Sequence, residues 1–143
     1  MRLAGVGQKQ GVIDSPEDGL PIMQVASPPQ FGGPEGMWSP EHLFVASVSS
    51  CLMTTFQAIA ANSRLDVLEY SDDASGRLVR GDDRLFRIDR VTLRPRLVID
   101  DPANADKARR LLEKAKDVCL ISRSMSAEVV MVPSISAADR IPA

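Results

Sequence analysis

The sequence predicts an α+β fold in which antiparallel sheets pack around a long central helix, at about residues 39–63, and a second helix, at about 102–119. Ser39-Pro40-Glu41 is a typical helix start, because serine caps the first turn, proline suits the first helical position and glutamate lies at the positive end of the helix dipole. Asp101-Pro102 repeats this start signal. Outside the two helices, β-branched and alternating apolar residues indicate strands.

Length and composition favour one globular domain. A chain of 143 residues is long enough for one ordinary core, so we expect a single domain over residues 1–143. Its 44% apolar and 25% charged residues are typical of a globular protein. The 17 basic and 19 acidic residues are interspersed, so no broad basic surface is available to bind a phosphate backbone, and we expect no nucleic-acid partner.

The N-terminal segment predicts a β-hairpin. Its strands are expected at Val12-Ile13 and Leu20–Val25, with the turn formers of 14–19 between them. The proline- and glycine-rich segment 27–36 follows, and its composition predicts a non-helical connecting loop.

The central helix carries apolar residues on more than one face, which predicts burial on several sides. Serines, threonines and Gln57 interrupt its apolar stretch Leu43–Ala61, so we expect no membrane segment. The first residues lack the apolar region of a signal peptide, which makes the cytoplasm the expected location. In that compartment a cysteine pair is expected to be free, catalytic or transiently oxidised.

The second half of the chain alternates between strand and helix patterns. Residues 65–99 predict two strands of a meander, and Pro95 indicates a sheet edge or a bulge. After the second helix, Ala127–Val132 predicts a closing strand and Ser134–Ala143 a partly ordered tail.

Cys51 and Cys119 are the leading candidates for reactivity, because the chain has one histidine and few other catalytic combinations. Each cysteine taken alone is more typical of an inert core residue, and only the pair favours thiol chemistry. His42 has no second histidine or CxxC motif beside it, so we expect a surface histidine and no metal site. Residues 32–36 match no phosphate-binding fingerprint, and no cofactor is predicted.

Glu41 has two interpretations. It is an ordinary first-turn acid, or it belongs to the thiol site. The ten residues from Glu41 to Cys51 span about 15 Å of helix, so one straight helix cannot bring the two side chains into contact. A shared site would require a second chain whose helix packs antiparallel across a twofold axis.

Three segments together resemble the OsmC and organic hydroperoxide resistance family: Ser39-Pro40-Glu41-His42-Leu43-Phe44-Val45-Ala46, then Ser49-Ser50-Cys51, and later Cys119-Leu120-Ile121-Ser122. In that family a cysteine follows the first motif glutamate by ten residues, as Cys51 follows Glu41. The hairpin with Asp18-Gly19-Leu20 and the Phe31-Gly32-Gly33 loop are also similar.

The resemblance implies an OsmC-like fold and an intertwined homodimer that reduces organic hydroperoxides without a metal or flavin. It matches Cys51 to the peroxidatic cysteine and Cys119 to the resolving cysteine, whose disulfide an external dithiol reopens. It also matches Glu41 to the glutamate that holds an arginine of the N-terminal hairpin, and the position of that arginine corresponds to Lys9.

This sequence departs from the family pattern at three positions. Lys9 keeps a positive charge without the planar fork of arginine, Leu120 replaces the usual proline, and Ser39 replaces asparagine as the helix cap. Arg2 or Arg123 are other candidates for the cation. Lys9 and Leu120 favour an alternative function, a divergent OsmC-like dimer that binds a small apolar or thiol ligand without rapid peroxide turnover. A dimeric scaffold with two structural cysteines is the third possibility.

Overall fold

The computed structural model describes residues 1–5, 9–17 and 19–138 of the chain. It confirms the α+β class. The chain divides into two compact units, Met1–Phe44 and Val45–Ala143. That residues 1–143 act as a single domain stays a prediction.

The first unit contains an antiparallel sheet of three strands, in the order β1 (Arg2–Gly5), β2 (Gln10–Asp14) and β3 (Met23–Ala26). The β2–β3 pair confirms the predicted hairpin, with Ile13 opposite Met23. Asp18 of its connection lies outside the described residues. The sequence analysis missed β1, because a four-residue strand with two apolar side chains has too little alternation to be recognised.

The proline- and glycine-rich loop is not wholly irregular, contrary to the prediction. A single 3-10 turn spans Pro29–Phe31, because its first position accepts proline. At Gly33 an added Cβ would lie 1.6 Å from the carbonyl oxygen of Ser27, so no side chain fits there. The Gly33 N–H donates to the carbonyl of Pro28 at 3.2 Å and closes the loop.

The long helix α1 runs over Pro40–Asn62, within one residue of each predicted boundary. The hydroxyl of Ser39 accepts a hydrogen bond from the backbone N–H of His42 at 3.2 Å, and Nδ1 of His42 accepts one from the N–H of Ser39 at 3.2 Å. This reciprocal pair has the logic of a capping box, with histidine in place of the usual glutamate. The exposed His42 therefore has a structural role at the start of α1.

Within the second unit, one row of α1 side chains is buried: Val48, Leu52, Phe56 and Ala60, each four residues after the last. The other apolar side chains of α1 in this unit, Val45, Met53 and Ile59 among them, keep partial exposure. The prediction of burial on several sides is therefore wrong for the described chain. Helix α1 is also long and apolar enough to cross a membrane, by length and composition alone. This is weak evidence for a membrane segment, because the core helices of globular proteins pass the same test.

The second unit contains two further sheets. Their strands are β4 (Val67–Asp72), β5 (Ser75–Arg80), β6 (Phe86–Leu93), β7 (Pro95–Ile99), β8 (Glu128–Met131) and β9 (Ser134–Ala137). The strand orders are β4-β7-β9 and β5-β6-β8. The β4–β7 and β5–β6 pairs are antiparallel as predicted, whereas β8 and β9 join their sheets in parallel. Four strands, not the predicted two, occupy the segment 65–99.

Pro95 begins β7, the central strand of its sheet, so the prediction of a sheet edge or a bulge at this position is wrong. The first position of a strand tolerates proline, because the backbone hydrogen bonds between strands do not require an N–H there. The chain leaves one sheet at Leu93 and enters the other at Pro95, with only Arg94 between them. The Arg94 N–H donates to Oδ1 of Asp72 at 2.7 Å, and the Ser49 hydroxyl donates to Oδ2 at 2.6 Å, so Asp72 joins this crossover to α1.

The second predicted helix begins as a 3-10 turn, Pro102–Asn104, and continues as α2 over Ala105–Val118. Asp101 caps the turn through the N–H of Ala103, at 2.9 Å. Cys119 then adopts an extended conformation, with φ −60° and ψ 117°, before the short helix α3 (Leu120–Arg123).

Part of the segment predicted as a tail forms a strand. Residues 134–137 form β9 in parallel with β7, where Leu97 lies opposite Ile135. The pattern of this segment is too short to identify a strand, and the pairing with β7 provides the backbone partners that the prediction of a tail lacked. Residues 139–143 of the predicted tail lie outside the described residues.

A candidate thiol site

Cys51 and Cys119 lie side by side although 68 positions separate them in the chain. The thiol of Cys119 donates a hydrogen bond to Sγ of Cys51, with the two sulfur atoms 2.8 Å apart. Both cysteines are free, and the separation is longer than the roughly 2.05 Å of a disulfide bond. The structure thus brings together the two residues that the sequence analysis selected as a pair.

The two cysteines differ in exposure. Cys51 is partly exposed, whereas Cys119 is 0% exposed. Cys51 is therefore open to a small oxidant from solvent, whereas Cys119 is not. The two thiols are therefore not equivalent in their access to a substrate.

Burial raises the pKa of the Cys51 thiol, but four hydrogen bonds outweigh this effect and hold the pKa below its usual range. In order of size they come from the thiol of Cys119, the backbone N–H of Ile121, the hydroxyl of Thr55 and the backbone N–H of Leu120. The Thr55 hydroxyl oxygen lies 4.0 Å from the Cys51 sulfur. A lowered pKa increases the fraction of thiolate, which is the nucleophilic form of cysteine.

Helix packing places both sulfur atoms. Cys51 precedes Leu52 of the buried row on α1, so its side chain lies at the border between core and surface. Cys119 follows the buried face of α2, to which Leu112 and Ala115 belong, and continues that face into the core. Because Cys119 is extended, the chain turns there, and the backbone N–H groups of Leu120 and Ile121 approach the sulfur of Cys51.

Glu41 and Lys9 belong to the first unit, whereas the two cysteines belong to the second. The ammonium group of Lys9 donates to the carbonyl of Phe31 at 2.5 Å. One carboxylate oxygen of Glu41, Oε2, is buried without a hydrogen-bond partner among the described residues. Their roles in thiol chemistry stay predictions.

The described parts of the chain contain no group of three or more histidine, cysteine, aspartate or glutamate side chains that could hold a metal ion.

Comparison with protein families gives one match. A family model described as OsmC-like protein matches residues 32–133, which include Glu41 and both cysteines. The chain belongs to the OsmC-like protein family. The matched segment begins after Lys9, so it gives no support to the assignment of that residue. A comparison with curated proteins finds no match.

Solved structures of OsmC-like proteins share the fold. An OsmC-like protein of unknown function from Vibrio cholerae is 27% identical with a TM-score of 0.79, over 87% of this chain and 84% of that chain. An organic hydroperoxide resistance protein OsmC from Legionella pneumophila is 24% identical with a TM-score of 0.70, over 94% and 93%. An organic hydroperoxide resistance protein from Elizabethkingia anophelis is 21% identical with a TM-score of 0.73, over 95% and 94%.

The sequence analysis missed three donors to Cys51, namely the Thr55 hydroxyl and the backbone N–H groups of Leu120 and Ile121. The Thr55 contact could have been predicted from the sequence, because a side chain four residues after Cys51 lies on the same helix face. The two backbone donors have no sequence signal, since they depend on the turn at Cys119 and on the packing of two distant helices.

Proposed function

We propose that this OsmC-like protein reduces organic hydroperoxides through a cycle of two cysteines, Cys51 and Cys119. The observation that carries the proposal is the 2.8 Å approach of their sulfur atoms, combined with partial exposure of Cys51 and full burial of Cys119. A reactive cysteine must meet its substrate, whereas a resolving cysteine must only meet the first sulfur. The exposures fit this division of roles.

In the proposed first step, the Cys51 thiolate attacks the oxygen of a hydroperoxide ROOH. The S–O bond forms as the O–O bond breaks, and the alkoxide that leaves takes up a proton to become an alcohol. Cys51 is oxidised to a sulfenic acid. The lowered pKa of Cys51 supports this step because it supplies the thiolate.

In the second step, Cys119 gives up its proton and its thiolate attacks the Cys51 sulfur. The S–S bond forms as the S–O bond breaks, and the released hydroxide combines with a proton to form water. An external dithiol then reduces the disulfide and is itself oxidised. We place the protein in the cytoplasm, where dithiol reductants keep such cysteines reduced. We further propose that residues 1–143 form one domain.

Membership of the OsmC-like family supports a role connected with peroxides. The Legionella and Elizabethkingia structures are named organic hydroperoxide resistance proteins, but at identities below 25% they support the fold of this chain and not its activity. The activity proposed for this chain therefore depends on its own cysteine geometry.

We further propose that the protein is a homodimer in which Glu41 of one copy completes the thiol site of the other. About 15 Å of helix separates Glu41 from Cys51 in one copy, so a shared site requires a second copy. A buried carboxylate oxygen without a donor is costly, which supports a cationic partner for Glu41 in the assembled protein. Lys9, whose ammonium group now lies on the Phe31 carbonyl, is the proposed cation.

Treatment with one equivalent of cumene hydroperoxide tests the peroxidase function. The reduced protein is expected to lose both free thiols within seconds and to yield a Cys51–Cys119 disulfide, detected by mass spectrometry of unreduced peptides. An equal amount of hydrogen peroxide serves as the control for substrate preference and is expected to react more slowly. Thiols that stay reduced for many minutes with both peroxides would reject the peroxidase and favour the alternative, an OsmC-like dimer that binds a small apolar or thiol ligand.

Mixed subunits test the role of Glu41. Glu41→Ala and Cys51→Ser proteins are each expected to lack peroxide turnover, because every site lacks one of the two groups. Random pairing of the co-expressed variants makes half of the dimers mixed, each with one complete site, so about a quarter of the wild-type turnover is expected to return. If a mixture confirmed as dimeric by light scattering regains nothing, Glu41 does not act across the dimer.

A further inference from the structure

The donors around the Cys51 sulfur carry no charge. In the described part of the second unit they are the thiol of Cys119, the hydroxyl of Thr55 and the backbone N–H groups of Leu120 and Ile121. They come from two elements, α1 and the turn after α2. Hydrogen bonds to an anionic sulfur stabilise it relative to the thiol, whether or not the donor is charged.

We propose that the Thr55 hydroxyl, 4.0 Å from the Cys51 sulfur, positions and stabilises the Cys51 thiolate. This inference rests on the proposed function for its purpose, since a stabilised thiolate is useful for attack on a peroxide. It assigns a role to a residue outside the cysteine pair and the Glu41 and Lys9 assignments.

The neighbouring threonine shows why Thr55 differs from an ordinary helix residue. The Thr54 hydroxyl donates to the backbone carbonyls of Ser50 and Cys51, at 3.0 and 3.2 Å, as threonines in helices commonly do. The Thr55 hydroxyl instead lies 4.0 Å from the Cys51 sulfur, one helical turn away on the same face. Thr54 is therefore a matched control with the same side chain on the same helix.

The experiment is the rate of Cys51 alkylation by iodoacetamide across pH in the reduced full-length protein, with peptide mapping to separate the two cysteines. Thr55→Val is expected to move the midpoint to higher pH and to slow alkylation near pH 7 by about two- to tenfold, the range for loss of one ordinary hydrogen bond. Thr55→Ser is expected to restore the wild-type profile, and Thr54→Val to leave it unchanged.

A Thr55→Val profile equal to that of Thr54→Val would overturn the inference. Circular dichroism establishes that each variant is folded, and Thr55→Ala, which removes the same hydroxyl, replaces Thr55→Val if that variant fails to fold. Alkylation consumes no peroxide, so the expected shifts in a protein that ignores cumene hydroperoxide would support the inference and reject the proposed function.

Discussion

Cys119→Ser is expected to stop the reaction at the sulfenic acid of Cys51. Without Cys119 no intramolecular disulfide can form, because the sequence has only two cysteines. The variant should consume about one equivalent of cumene hydroperoxide per chain and then no more, because the cycle cannot close. Trapping with dimedone, followed by mass spectrometry, locates the oxidised residue on the Cys51 peptide.

Cys51→Ser is the matched variant, with the same substitution at the other cysteine. It is expected to consume no peroxide above the uncatalysed rate, because its remaining thiol is fully buried. A Cys51→Ser protein that reacts as fast as wild type, or a Cys119→Ser protein that turns over repeatedly with a dithiol, would contradict the assigned roles.

Phe56→Ala is expected to lower the free energy of unfolding by about 3–5 kcal/mol, the usual cost of truncating a fully buried phenylalanine. Phe56 is 0% exposed in the centre of the buried row of α1, and its ring lies 5.9 Å from the ring of Tyr70 on β4. The substitution would leave a cavity between α1 and the sheet. Urea unfolding at matched protein concentrations measures the loss.

Phe86→Ala provides the control for this measurement. Phe86 is 56% exposed on β6, where the guanidinium group of Arg80 lies 5.7 Å from its ring centre. The loss there is expected to stay below about 1 kcal/mol, the range of an exposed cation–π contact. Equal losses at the two positions would show that the α1 row is not the core of this unit.

The start of α1 shows what local chemistry can predict. Ser39-Pro40 indicated the helix boundary to within one residue, because capping and the fixed φ of proline act on the nearest backbone groups alone. The burial of the same helix was predicted less well. Apolar residues around its surface indicated burial on several sides, but only one row finds partners in the described chain.

The strands show the opposite case. The sequence predicted two strands over residues 65–99, yet the chain forms four there and changes sheets at Arg94. What stabilises this change is the distant carboxylate of Asp72, which accepts from the Arg94 N–H and from the Ser49 hydroxyl. Strand pairing depends on partners far away in sequence, and periodicity within one segment does not contain that information.

The sequence by itself determined the α+β class, the two main helices and the choice of Cys51 and Cys119 as a pair, because caps, periodicity and residue chemistry are local properties. Only the tertiary structure decided that the two sulfur atoms lie 2.8 Å apart, that Cys51 is the exposed member, and that Thr55 and two backbone N–H groups surround it. The physical reason is that these features arise where α1 meets the turn after α2. Contacts between elements 68 positions apart follow from core packing, which no local pattern specifies.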